Sequence, residues 1–177
     1  MDVTVEKRVG KYDCIVLDLD GTLVYSCKED LGGGHKIVVN DCEDVDNLWV
    51  YKRPGFDEFL RICFEVSTVG VWSMGQPSYV DAIVELFPQT PAFVYNRTNC
   101  ITRIDRMFKQ LEKIPYDGNI IMFDDQFWSL EQSDRVNTII VPPWTADNYY
   151  DRVLYQLIPK ICKDDNSMDY DLYDIYD

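Results

Sequence analysis

Two short runs of this chain, CIVL at residues 14–17 and IIMF at residues 120–123, are apolar at every position and lead straight into aspartates. A strand with one wet face alternates apolar and polar residues, so a strand apolar throughout has to be covered on both faces. Three further strand-like runs lie at 68–72, 92–95 and 138–141, and the run that contains IIMF extends over 119–123. Helix-length patterns separate them. Residues 55–65 follow Pro54 and place Phe56, Phe59, Leu60 and Cys63 on one face. Residues 78–87 stop at Pro88, residues 102–114 stop at Pro115, and residues 148–162 carry Tyr149, Val153, Leu157 and Ile161 at helical spacing. Strands alternating with helices of this length predict an α/β fold, a Rossmann-like parallel sheet with helices on both faces.

Two segments break the rhythm. Residues 29–47 hold GGGHK and then DCEDVD, which predicts a glycine turn leading into a hairpin or a flexible excursion. The glycines are not a phosphate loop, since no GKS or GKT follows them. From Asp164 onward the chain carries six aspartates and three tyrosines and is expected to be an acidic tail. The expected organisation is one domain over residues 1–163 with a small insert at 26–50, and a tail at 164–177.

The formal net charge of −14 disfavours nonspecific binding to nucleic acid or to an anionic membrane. The opening residues are too charged for the apolar part of a signal peptide. No apolar run approaches the ~18 residues of a membrane span. An intracellular chain, nuclear or cytoplasmic and without a membrane partner, is therefore expected. Six cysteines with no CxxC pair, and a single histidine, His35, argue against both a disulfide framework and a zinc cluster. The sequence specifies no oligomeric state.

In a parallel sheet, ligands bind beyond the carboxyl ends of the strands. Asp18 and Asp20 fall there, as do Ser73 after TVGVW and Asp124 and Asp125 after IIMF. Clustered carboxylates repel one another, and a hard cation relieves that repulsion. Oxygen ligands without nearby thiolate or imidazole indicate Mg2+. An ionised aspartate beside such an ion can attack phosphorus, and a second one two residues on can move the proton. The cation that balances the phosphoryl charge could come from Arg97, Arg103, Lys109 or Lys113, and spacing does not choose among them.

DLDGTLV resembles the first motif of the haloacid dehalogenase superfamily, DxDx(T/V). The order RPGFDEFL, a strand ending in Ser73, YNRTNC, Lys109 and IIMFDD resembles the Fcp1/small C-terminal-domain phosphatase group, also called NLI-interacting-factor-like, from about Tyr12 to Gln126. The resemblance implies Asp18 as nucleophile and Mg2+ ligand, and Asp20 as general acid and base with its backbone carbonyl on the metal. It implies Ser73 and Lys109 as phosphate-holding catalytic residues, and Asp124 and Asp125 at the metal. Thr22 would orient the loop and Arg97 would lie near the phosphate. The chain departs from the group at Gly21, where DLDETL is usual, and in VWSMG and DDQFWS. The interval from Ser73 to Lys109 leaves no room for a large cap, and residues 26–50 could form at most a small lid. An open site suits a phosphorylated protein or peptide. A small-molecule or nucleic-acid-end phosphatase, and a non-catalytic binding module on the same fold, are the competing expectations.

Overall fold

The computed structural model describes residues 8–40 and 46–163. The expected acidic tail at 164–177 lies outside the described residues. At the centre is a parallel sheet of five strands, numbered here in chain order: β1 (Cys14–Leu17), β2 (Thr68–Trp72), β3 (Phe93–Tyr95), β4 (Ile120–Asp124) and β5 (Val136–Ile140). The spatial order is β5-β4-β1-β2-β3, with every neighbouring pair parallel. The chain thus winds outward from β1 to β3 and then returns to the other side of β1. That reversal, between β1 and β4, is where a ligand crevice opens in a sheet of this kind.

Alternate residues of each strand face opposite layers. Ile15, Leu17, Val69, Val71, Ile121 and Phe123 bury into one core. There they meet three helices, α1 (Phe56–Val66), α2 (Pro77–Val84) and α3 (Val153–Ile161). Cys14, Val16, Trp72, Ile120 and Met122 bury into a second core on the other face. The α/β class stands, with all three α-helices bearing on the first layer.

The second layer holds the main correction to the expected elements. Residues 102–114 are not an α-helix. They form an antiparallel hairpin, Ile101–Arg103 with Arg106–Gln110, followed by a short 3-10 turn at Leu111–Lys113. Ile104 and Asp105 turn the hairpin with φ of 46° and 62°. A β-branched residue at positive φ is rare, and the usual Asn-Gly signal of such turns is missing, so no local pattern marks this turn. Ile104 is 96% exposed, which removes it from any helical apolar face.

A smaller correction concerns residues 148–162, where the helix starts only at Val153. The indole of Trp144 donates to the Asn148 carbonyl, and the Asp151 carboxylate accepts from the Val153 N–H, so the residues before Val153 are used as a turn.

The expected insert is built as a small antiparallel sheet. Asp46–Lys52 is its middle strand, flanked by Val24–Cys27 and His35–Val39. It leaves the body directly after the aspartate loop and returns directly before α1. His35 is exposed on its outer strand.

Candidate active site

Asp18 is the first residue beyond β1, and Asp124 is the last of β4. The Asp18 N–H donates to the Phe123 carbonyl at 3.0 Å, which continues the sheet ladder and fixes the two carboxylates side by side. Lys109 reaches them from the hairpin. Its Nζ donates to Asp18 Oδ1 at 2.5 Å and to Asp124 Oδ2 at 2.6 Å. All three side chains are almost wholly buried. A strand positions the lysine: Lys109 pairs in register with Leu130, and Gln110 with Glu131. Of the four cations that spacing left open, Lys109 is the one that meets the carboxylates. Arg103 pairs with Glu131, and Lys113 is exposed.

The remaining expected residues are distributed around this ion triad. Thr22 is fully buried and donates to Asp18 Oδ2 at 3.2 Å, holding the carboxylate from behind. Ser73 follows β2. Its N–H donates to the Tyr95 carbonyl and its Oγ accepts from the Gly75 N–H, both at 3.0 Å, so it closes a turn ahead of α2 while the helix cap falls at Gln76. Arg97 is exposed and is tied to the same turn by its Nε on the Met74 carbonyl. Asp18, Asp20, Ser73, Arg97, Lys109 and Asp124 line one cavity of about 200 Å³, with Met74, Gly75, Gln126 and Ser129 completing its wall. Asp125 joins the carboxylates: oxygens of Asp18, Asp124 and Asp125 lie within 4.8 Å of one another. That oxygen-only group can hold a hard divalent cation. The side chain of Asp20 points elsewhere, toward Tyr79 and Ser26.

The electrostatics follow from burial. Desolvation pushes the Asp18 carboxyl well above the ordinary range, against the pull of the Lys109 ammonium and with a further push from Asp124. Burial by itself would lower Lys109, but the Asp18 and Asp124 carboxylates outweigh it and hold the lysine charged. Burial, then the neighbouring Asp124, pushes the Asp125 carboxyl up to about 6. Asp20 is also raised by burial, opposed by its hydrogen bonds from Tyr79 and Ser26. A cation placed among such carboxylates would favour their ionised form.

Three residues of the site were not singled out in the sequence, and two of them, Tyr79 and Ser26, carry no signal that separates them from packing. Tyr79 sits on the apolar side of α2, and its hydroxyl donates to Asp20 Oδ1. Ser26 lies in the insert, with Oγ 2.7 Å from the Tyr79 hydroxyl. Arg53 is 1% exposed and straps the aspartate loop. It donates two bonds to the Asp151 carboxylate, both at 2.9 Å, and Nη1 reaches the carbonyls of Gly21 and Thr22 at 3.2 Å. The one available hint for Arg53 was its place beside Pro54 in RPGFDEFL, a charge at the edge of a buried helix.

The chain is similar to several known phosphatases. The human carboxy-terminal domain RNA polymerase II polypeptide A small phosphatase 1 is 27% identical over 149 residues, covering 82% of this chain and 57% of the relative. Phosphatase Herzog of Drosophila melanogaster is 29% identical over 156 residues, 82% of this chain and 42% of the relative. The chain thus spans about half the length of the curated relatives it matches. The solved structure of the fission yeast RNA polymerase II CTD phosphatase Fcp1 bound to beryllium fluoride is similar with a TM-score of 0.61 at 16% identity, over 74% of this chain and 41% of that chain, a likeness of fold. The family model of the NLI interacting factor-like phosphatases matches residues 13–170, and the chain belongs to that family.

Proposed function

We propose that this chain is a Mg2+-dependent phosphomonoester hydrolase working through an aspartyl-phosphate on Asp18, with phosphoserine and phosphothreonine in exposed protein segments as substrates. The observation that carries the reading is the buried lysine bridging two carboxylates of adjacent parallel strands, at a cavity also lined by Ser73. A carboxylate oxygen of Asp18 attacks phosphorus as the bond to the seryl or threonyl oxygen breaks. Asp20 gives its proton to that departing oxygen. Asp20 then takes a proton from water, whose oxygen attacks phosphorus, releases phosphate and restores Asp18. Lys109, Arg97 and the Ser73 hydroxyl hold the phosphoryl oxygens, and Thr22 holds Asp18 in line. Asp18, Asp124 and Asp125, with the backbone carbonyl of Asp20, would hold Mg2+, which when bound offsets negative charge on the carboxylates and the phosphoryl group.

The substrate class rests on openness. A cavity of about 200 Å³ is smaller than the ~300–1,000 Å³ of sites that enclose a small ligand. Among the described residues the additions to the central sheet near the site are the small sheet of Val24–Cys27, His35–Val39 and Asp46–Lys52 and the hairpin at 101–110, neither as large as a cap domain. The relatives are named as phosphatases of a polymerase segment, which fits a phosphoprotein partner and a nuclear or cytoplasmic setting. No helix among the described residues is long and apolar enough to cross a membrane.

The test is a panel of phosphoserine and phosphothreonine peptides against sugar phosphates, nucleotides and 3′- or 5′-phosphorylated oligonucleotides, with Mg2+ or EDTA, and with Asp18→Asn as control. Turnover of the peptides, lost in EDTA and in Asp18→Asn, is expected. Preference for a metabolite or nucleic-acid end would replace the substrate class, and no turnover by folded protein would favour the binding module.

A further inference from the structure

The side chain of Asp20 is held by a chain of two hydroxyls that belong to different parts of the fold. Tyr79 stands in the first turn of α2, just beyond the carboxyl end of β2, and is 7% exposed. Its hydroxyl donates to Asp20 Oδ1. A tyrosine has one proton to give, so the Ser26 hydroxyl, 2.7 Å from the Tyr79 oxygen, is the donor in that second contact. Ser26 is itself 3.4 Å from Asp20 Oδ1 and belongs to the Val24–Cys27 strand of the small sheet. Serine too has one proton, and its contact with the Tyr79 oxygen is much shorter than its contact with Asp20 Oδ1, so the distances favour the order Ser26 to Tyr79 to Asp20 Oδ1.

Local sequence makes room for this chain. A Cβ at Gly75 would lie 2.7 Å from Cδ1 of Tyr79 and 3.2 Å from Ser73 Oγ, so the VWSMG turn lets the tyrosine ring lie against the phosphate-side serine. The aspartate loop is pinned on its other side. The Gly21 N–H donates to the Val24 carbonyl, and the Gly21 carbonyl accepts from Arg53 and from the Trp144 N–H. With the backbone fixed, the hydroxyl chain decides where the Asp20 carboxyl points.

We propose that Tyr79, backed by Ser26, is a positioning residue for proton transfer: it occupies Asp20 Oδ1 and leaves Oδ2 to carry the proton to the departing oxygen of the substrate. This rests on the reading of Asp20 as the general acid. In the step, the bond from phosphorus to the leaving oxygen breaks as the Asp18 oxygen bonds to phosphorus. The Oδ2 proton passes to the leaving oxygen, and Asp20 is left as carboxylate. Tyr79 keeps its own proton throughout. Because Ser26 sits on the small sheet, that sheet is mechanically coupled to the acid.

Loss of a positioned acid costs most where the leaving oxygen is most basic. The experiment measures kcat/KM, which ends at leaving-group departure, for a phosphoserine peptide and for a series of aryl phosphates of falling phenol pKa. Wild type, Asp20→Asn, Tyr79→Phe and Ser26→Ala are compared, with Mg2+ present and folding checked by thermal melts. Asp20→Asn should show the steepest dependence on leaving-group basicity. Tyr79→Phe should follow it, losing about tenfold or more on the peptide and clearly less on the most acidic phenol. Ser26→Ala should lose less than Tyr79→Phe with the same selectivity, and it removes only one hydroxyl should the tyrosine variant fold poorly. Equal losses on all substrates, or none, in both Tyr79→Phe and Ser26→Ala while Asp20→Asn keeps its selectivity would overturn the inference and leave the phosphatase reading intact. An Asp20→Asn variant without that selectivity would instead remove the acid assignment on which the inference stands.

Discussion

At Gly21 the backbone adopts φ of 75°, and a Cβ there would lie 2.5 Å from Oδ2 of Asp125. The departure from the usual DLDETL is thus tied to Asp125: the glycine turns the loop and leaves the volume that this carboxylate fills. Gly21→Ala should lose about 1–2 kcal/mol from backbone strain alone and should displace Asp125. Thermal melts should show a lower Tm and a smaller rise of Tm with Mg2+ than wild type. A variant that responds to Mg2+ like wild type would contradict the contact. Asp125 also sets a pH dependence. Its folded carboxyl at about 6 lies above the ordinary ~3.9, so the cation-free fold binds the proton more tightly than the unfolded chain. Its contribution to stability is present below about pH 4 and is lost as pH rises toward about 6. Mg2+ needs the ionised form, so the Tm rise it gives should be large at about pH 7.5 and small at about pH 5. An equal rise at both would exclude Asp125 as a ligand. At this scale the aspartates were legible because carboxylates beyond apolar strands have no packing role. Tyr79 was not, because a tyrosine on an apolar helix face reads as core until its hydroxyl is placed.

Among the elements, the central strands were readable because a strand covered on both faces has a continuous apolar signature, and β2 begins and ends where the pattern places it. The hairpin at 101–110 was not readable. Its turn uses Ile104 and Asp105, and its edge is held by a parallel pairing with Leu130–Glu131 that no local pattern announces. The consequence for the site is substantive: Lys109 is delivered by a strand that lies against the sheet end, not by the face of a helix. The Arg53 strap is likewise a tertiary feature, joining the start of α1, the aspartate loop and the turn before α3. Arg53→Ala should cost about 3–5 kcal/mol, since it strands the Asp151 carboxylate at a site about one-tenth exposed. Denaturant melts should show that loss. Asp151→Asn in the Arg53→Ala background should cost much less than the sum of the two single changes. Additive losses would mean that the pair is not coupled.

For the whole molecule, a net charge of −14 coexists with a site that, on the proposed reading, would have to hold a phosphoryl group. The compensation is local: Lys109 is neutralised by the carboxylates it bridges, and Arg97 stands exposed at the mouth of the cavity. The topology explains why residues so far apart in sequence meet. Asp18 and Asp124 flank the β1–β4 reversal, and Ser73 approaches from the opposite neighbour of β1. The small sheet formed by Val24–Cys27, His35–Val39 and Asp46–Lys52 rises from the same loop. On the proposed mechanism phosphorus passes through a covalent bond to one oxygen of Asp18. That step is tested by incubating the protein with Mg2+ and a phosphoserine peptide, quenching with borohydride, and mapping the digest by mass spectrometry. Reduction of an acyl phosphate leaves homoserine in place of aspartate. Homoserine is expected at position 18 and is expected to be absent in EDTA, whereas turnover with Asp18 unmodified, or with the change at another aspartate, would exclude Asp18 as the nucleophile.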